Sequence, residues 1–167
     1  NSVVTAGGCM TSIELGIVEI LRSGVYNYID RERPGITPEE VQVVQRQAFT
    51  ADYFITGTNA ITEKGELFNI DGNGNRVAAI SYGPKEVIVI AGSNKIVRDA
   101  EEARKRVKEI SAPANAMRLD CNTPCTIDGI CRNCASEKRV CCTEVLTGYQ
   151  RIKNRIKVII VDGDFGF

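Results

Sequence analysis

The sequence predicts an α/β protein, with three α/β/α layers built on a mostly parallel sheet and one added β-hairpin. Three observations carry this. Glu86–Ala91 (EVIVIA) is a near-continuous apolar run ending at Gly92, the pattern of a strand buried on both faces. Tyr53–Thr56 is a second short strand that also ends at a glycine, Gly57. Stretches with helical spacing and capping signals separate such strands, and that alternation builds parallel sheets.

Taken in order, Val3–Thr5 is a short β run that breaks at Gly7-Gly8-Cys9. Thr11-Ser12-Ile13-Glu14 reads as a capping box with Thr11 as N-cap. The helix continues through Ile17, Ile20 and Leu21 to a C-cap at Gly24. Val25–Ile29 is a second strand. Thr37-Pro38-Glu39-Glu40 is another capping box, with proline at the first helical position where its missing N–H costs nothing. Asp71-Gly72-Asn73-Gly74-Asn75 is a turn joining Gly65–Ile70 to Arg76–Tyr82 as a hairpin. It lacks the downstream ligands of a calcium loop. Asp99–Ile110 is a third helix, Ser111–Met117 an irregular linker, Thr143–Ile152 a further helix, and Lys157–Val161 (KVIIV) the last strand.

Open α/β sheets bind ligands in the crevice beyond the carboxyl ends of their strands. The candidates there are Gly7, Gly8 and Thr11 at the first turn, Gly57, Thr58 and Asn59 at the second, and Lys95 after Gly92. A Gly-Gly turn before a helix leaves N–H groups that could receive a small anion, although glycines also serve simply to let strand and helix approach. Asp52 and Glu63 are the carboxylates nearest this crevice and the candidates for acid–base or nucleophilic work. Glu63 can equally be a hairpin residue facing water. Lys95 is either a surface lysine or a contact to an anionic ligand.

The 167 residues suit one domain spanning 1–167. Hydrophobic content of 43% with 25% charge excludes global disorder. Lys+Arg and Asp+Glu number 21 each, and a net charge of zero excludes a general nucleic-acid binder. No apolar run reaches membrane-spanning length and no signal peptide is visible, which places the expected site of action in the cytoplasm, away from membranes. The missing initiator Met and the immediate opening into a strand lead us to expect an upstream segment. The composition leaves a homo-oligomer open. There is no histidine, so proton transfer falls to carboxylates, Lys, Tyr or Cys, and any soft-metal site must be built from thiolates.

Six of the seven cysteines fall within a cysteine-rich insert, residues 121–142, spaced C-x3-C-x5-C-x2-C-x6-C-C. In a chain without a secretory signal such density reads as metal binding before disulfides. Cys131 and Cys134 have the two-residue spacing that brings both thiolates to one ion. Cys125 and Cys141 complete a four-thiolate set, with Cys121 and Cys142 as alternates. Zinc and an iron–sulfur cluster both accept four cysteines, and disulfides or buried thiols stay open. Cys9 stands alone at a helix start, a position that favours a thiolate but equally suits a small buried residue.

Several segments together resemble the bacterial lactate-utilisation (LUD) domain proteins over essentially the whole chain. They are Gly7-Gly8…Thr11…Glu14-Leu15-Gly16, Ala51-Asp52…Thr56-Gly57…Asn59-Ala60-Ile61…Glu63…Gly65-Glu66-Leu67, and Val89-Ile90-Ala91-Gly92…Asn94-Lys95. Thr123-Pro124-Cys125, Cys131-Arg132-Asn133-Cys134 and the terminal Ile156–Phe167 complete the set. The resemblance implies the fold shared by ribose-5-phosphate isomerase, glucosamine-6-phosphate deaminase and CoA transferases. It also implies a part in oxidising L-lactate to pyruvate beside an iron–sulfur partner subunit, which suits an accessory redox component. A different activity stays open within that fold: an enzyme acting on a sugar phosphate or CoA ester through Glu63. A non-catalytic module binding a small anionic ligand is the third expectation.

Overall fold

The computed structural model describes residues 2–167. Along the chain run β1 (Val3–Ala6), α1 (Met10–Glu14), α2 (Ile17–Arg22), β2 (Asn27–Ile29), α3 (Pro38–Gln47), β3 (Tyr53–Thr56), β4 (Ala60–Thr62) and β5 (Leu67–Asp71). Then come α4 (Asn75–Ser81), β6 (Glu86–Gly92), β7 (Ile96–Val97), α5 (Ala100–Arg106), α6 (Ala112–Arg118), α7 (Cys125–Asp128), β8 (Thr143–Thr147) and β9 (Ile156–Val161). The architecture is that of a three-layer α/β/α fold with a mostly parallel sheet, as the alternation of strands and helices predicts. The chain divides into two compact units. One holds the residues up to Gly57 with 78–94 and 150–166, the other 58–77, 95–149 and Phe167.

In the first unit β1, β2, β3, β6 and β9 form one sheet in the order β2-β1-β3-β6-β9, every neighbouring pair parallel. The apolar run read from the sequence lies inside it. Val87, Val89 and Ala91 of β6 are fully buried, and burial of each valine is worth roughly 1.5–3 kcal/mol. In the second unit β4 and β5 make an antiparallel hairpin, extended by β8 beside β5 and by β7 parallel to β4. Its core gathers Ala60, Phe68, Ala103, Val107 and Ala112.

Four local expectations are corrected. Thr11 is no N-cap: α1 starts after Cys9, Thr11 lies inside it, and Gly16 in the left-handed region (φ 67°) splits α1 from α2. The Thr11 hydroxyl donates to the Phe165 carbonyl (3.0 Å), and Glu14 accepts from the Gly166 N–H (2.6 Å). Both side chains thus reach the far end of the sequence. The hairpin partner of β5 is β4, and Asn75–Ser81 is helical, not a strand. Asp71 supports that helix from the end of β5: its Oδ2 accepts from the first-turn Val77 N–H (2.9 Å) while its Oδ1 pairs with Arg76 (2.7 Å).

The expected linker after the third helix is helical too. Val107–Ser111 is a π-helical stretch between α5 and α6, so Pro113 sits in the first turn of α6, where a missing N–H is tolerated. Finally, Thr143–Thr147 is the strand β8, not a helix. Its pairing with β5 from Thr143 opposite Asp71 to Thr147 opposite Leu67 outweighs a weak local preference. The capping box at Thr37 is present as read, with Thr37 Oγ1 accepting from the Glu40 N–H and Glu40 from the Thr37 N–H.

Candidate functional site

The carboxyl ends of the first unit's strands are closely packed. At Gly7 a Cβ would lie 2.6 Å from Thr56 Oγ1, and at Gly57 it would lie 3.0 Å from Cys9 Sγ. Both glycines therefore allow strands and turn to close together. Gly8 takes φ +60° and has the Arg31 guanidinium and the Glu32 carboxylate directly over it, an ion pair at 3.5 Å. The Cys9 thiol meets the Ser12 hydroxyl at 3.0 Å. The terminal segment seals this end. Gly163 N–H donates to Ser93 Oγ (3.0 Å), Asn94 Nδ2 donates to the Gly166 carbonyl (3.1 Å), and Thr11 holds Phe165. The first unit also carries an apolar groove of about 570 Å³, bordered by Val4, Ile20, Tyr53, Ile88, Ile90 and Ile159. None of the sequence-predicted site residues borders it.

Asp52 precedes β3, at the opposite end of that strand from Gly57. The four residues of β3 lie between them, a span of about 16 Å over five extended steps. Its carboxylate accepts from the Val3 N–H (2.8 Å) and from Lys85 Nζ (2.6 Å), and the Lys85 ammonium, then the Val3 N–H, hold it below the usual carboxylate range. Asp52 is thus a clasp between β1 and β3.

The remaining candidates belong to the second unit. The Thr58 hydroxyl, buried, reaches the carbonyls of Ala60 and Phe68, both at 3.1 Å. Asn59 Oδ1 accepts from the Ile70 N–H (3.0 Å) and Arg76 Nη2 (2.9 Å), and its carbonyl accepts from Arg106 Nη1 (2.8 Å). These bonds order the β4–β5 hairpin. Lys95 is buried at 3% exposure and so is no surface lysine. Glu63 is exposed in the turn between β4 and β5, its N–H bonded to the Val97 carbonyl (2.9 Å). Asp52 and Glu63 fall in different units, as do the glycine turn and Lys95.

The cysteine segment lies wholly in the second unit. Cys125, Cys131, Cys134 and Cys141 border one small cavity of about 20 Å³, with Thr123, Arg139 and the Ala112–Ala116 side of α6. All four are half-buried free thiols. Arg139 Nη2 donates to Cys141 Sγ (3.3 Å) and Nη1 donates to the Cys134 carbonyl (2.5 Å), while its buried Nε has no partner among the described residues. Thr123 Oγ1 lies 3.3 Å from Cys125 Sγ. Hydrogen bonds from Ser136, then the Arg139 charge, draw the Cys134 thiol below its ordinary range. The alternates lie apart: Cys142 is exposed, its thiol donating to the Arg139 carbonyl, and neither it nor Cys121 borders the cavity. Among the described residues no three Cys, Asp or Glu side chains stand close enough to grip an ion as they are.

The LUD domain family matches residues 1–161. This chain belongs to that family. A crystal structure of a DUF162 family protein from Deinococcus radiodurans is similar at 15% identity, covering 97% of this chain and 88% of that one, with a TM-score of 0.39. No curated protein matches the chain. Among the described residues of this LUD domain no helix is long and apolar enough to cross a membrane.

Sequence reasoning missed three features of the LUD domain here. Arg31 and Glu32 over Gly8 come from a loop with no pattern of its own. Ser93 and Glu14 act on residues about 70 and 152 positions away, and spacing does not report such contacts. Arg139 could have been found, because it stands two residues before Cys141 within the cysteine pattern.

Proposed function

We propose that this LUD-domain protein is an accessory redox component of lactate or related organic-acid oxidation, and that Cys125, Cys131, Cys134 and Cys141 hold a metal in it. The observation that carries the reading is that these four of the seven cysteines border a single cavity. The donor set suits a soft ion, being all sulfur in a chain without histidine. The four thiols have to draw together to bind it, and they sit on turns and the short α7 rather than on a rigid sheet.

Bound iron would supply one-electron exchange, and bound zinc would clamp the segment. The chain's own contribution is the donor set and the Arg139 guanidinium, which borders the same cavity and whose charge offsets that of the thiolates. Within this reading the redox partner is an iron–sulfur subunit, as the family resemblance implies.

The test is elemental analysis with a visible spectrum on protein purified without oxygen, beside the Cys131→Ser/Cys134→Ser variant. Close to one iron per chain, lost in the variant, is the expected result. Zinc in its place would keep the ligands and overturn the redox role. Protein that stays metal-free after anaerobic exposure to ferrous and zinc salts would overturn both.

A further inference from the structure

A six-residue apolar strand forms one edge of the first unit's sheet. β9 (Ile156–Val161) pairs with β6 on one side and ends the order β2-β1-β3-β6-β9. Its side chains stay open to solvent on both faces: Val158 and Ile160 on one are 42% and 51% exposed, and Ile159 on the other is 49% exposed. Natural sheets protect their edges with short strands, prolines, bulges or inward charges. The opposite edge follows that rule, since β2 is three residues long and starts with Asn27. β9 does not. It has no proline, and its single charged residue, Lys157, is already paired with Glu86 of β6.

We propose that β9 is a self-association edge, joining a second copy of this chain in an antiparallel pair about a two-fold axis. Charge selects both the occupant and the direction. Lys153 precedes β9 and Lys157 is its second residue, while Asp162 and Asp164 follow its end. An antiparallel pair runs the basic end of one copy along the acidic end of the other at both ends of the ladder. A parallel pair would set like charges side by side, which is unfavourable across neighbouring strands.

Symmetry then fixes the register. A two-fold axis perpendicular to the sheet keeps each side chain on its own face, so one residue must oppose itself. Centring on Ile159 sets Ile159 against its equivalent and Val158 against Ile160 twice, burying all three exposed side chains. Ile159 also borders the apolar groove of its unit, so the pairing extends that apolar surface across the axis. An isologous contact of this kind closes on itself and does not propagate into a fibre.

The test is light scattering coupled to size-exclusion chromatography on the intact protein, beside Ile159→Lys and Ile127→Lys. Ile127 is 87% exposed in the other unit and serves as a matched control. The expected result is a dimer that persists in Ile127→Lys and becomes monomeric in Ile159→Lys, with the circular dichroism spectrum unchanged. A second readout fixes the register: under mild oxidation Ile159→Cys should form a covalent dimer that neither the parent nor Val161→Cys forms. A parent that is monomeric at 100-fold the working concentration overturns the proposal, as does a dimer that survives Ile159→Lys. Covalent dimers from Val161→Cys in place of Ile159→Cys overturn the register.

Discussion

Arg155 shows how a charged side chain can be a structural part without any anion beside it. It is 4% exposed, and its guanidinium donates to the carbonyls of Ala79 (3.1 Å), Ile80 (2.7 Å) and Pro84 (3.1 Å). Two of those carbonyls lie in the last turn of α4, where the helix's own bonds have run out. Burial pushes its pKa down, yet an arginine remains charged. Arg155→Met should leave three buried carbonyls without a donor, each costing about 1–3 kcal/mol. A loss of at least about 3 kcal/mol in urea unfolding is expected, and Arg155→Lys should recover part of it. An unchanged midpoint in Arg155→Met would show that water takes over the carbonyls. None of this was legible in the sequence, where Arg155 is one basic residue in a basic stretch. Asp71 was legible only as a turn former. Its grip on Arg76 and on the Val77 N–H, which supports α4, depends on side-chain reach and not on the alternation of Val77, Ala79 and Ser81.

Among elements, a local chemical signal read α3 and β6 correctly but misled at Thr11–Glu14 and at Asp71–Asn75, and elements decided by distant partners were missed. Thr37 and Glu40 announced α3 because both halves of a capping box lie within four residues. β6 was evident because a strand buried on both faces leaves its mark in composition. β8 was mistaken for a helix because its strand character comes from pairing with β5, some 75 residues earlier, and Arg104 of α5 meets its Glu144. The helix that runs from α5 through the π-helical stretch into α6 was read to stop early, since a proline normally ends a helix. Its start is well defined. Asp99 Oδ1 accepts from the N–H groups of Glu101 and Glu102, both at 3.0 Å. Asp99→Ala should therefore cost about 1 kcal/mol and Asp99→Asn much less, because asparagine caps comparably well. Equal losses for the two variants in urea unfolding would mean that charge, through the Arg98 pair, matters more than the cap.

For the whole molecule, the division into two units distributes the residues predicted for one site between both. Sequence order put Asp52, Gly57, Asn59 and Glu63 within twelve positions, and proximity along the chain suggested one crevice. Asp52 and Gly57 belong to the unit of the parallel sheet, Asn59 and Glu63 to the hairpin unit. The clustered cysteines carry their signal in their spacing, and they stay within one unit. That confinement yields a test. The Cys142 N–H bonds the Asp71 carbonyl (2.9 Å) and the Cys121 N–H bonds the Ala116 carbonyl (2.9 Å), so both ends of the segment are tied into the second unit. If the four thiolates hold an ion, a strong chelator should speed amide exchange across residues 121–142 and in the adjoining β8. The amides of Val87–Ala91 in β6 should keep their protection, because local openings stay within cooperative units. Hydrogen exchange read by mass spectrometry on chelated and untreated protein separates the outcomes. Equal loosening in β6 would mean that the ion secures the whole chain, and no change at residues 121–142 would mean that the thiols hold none.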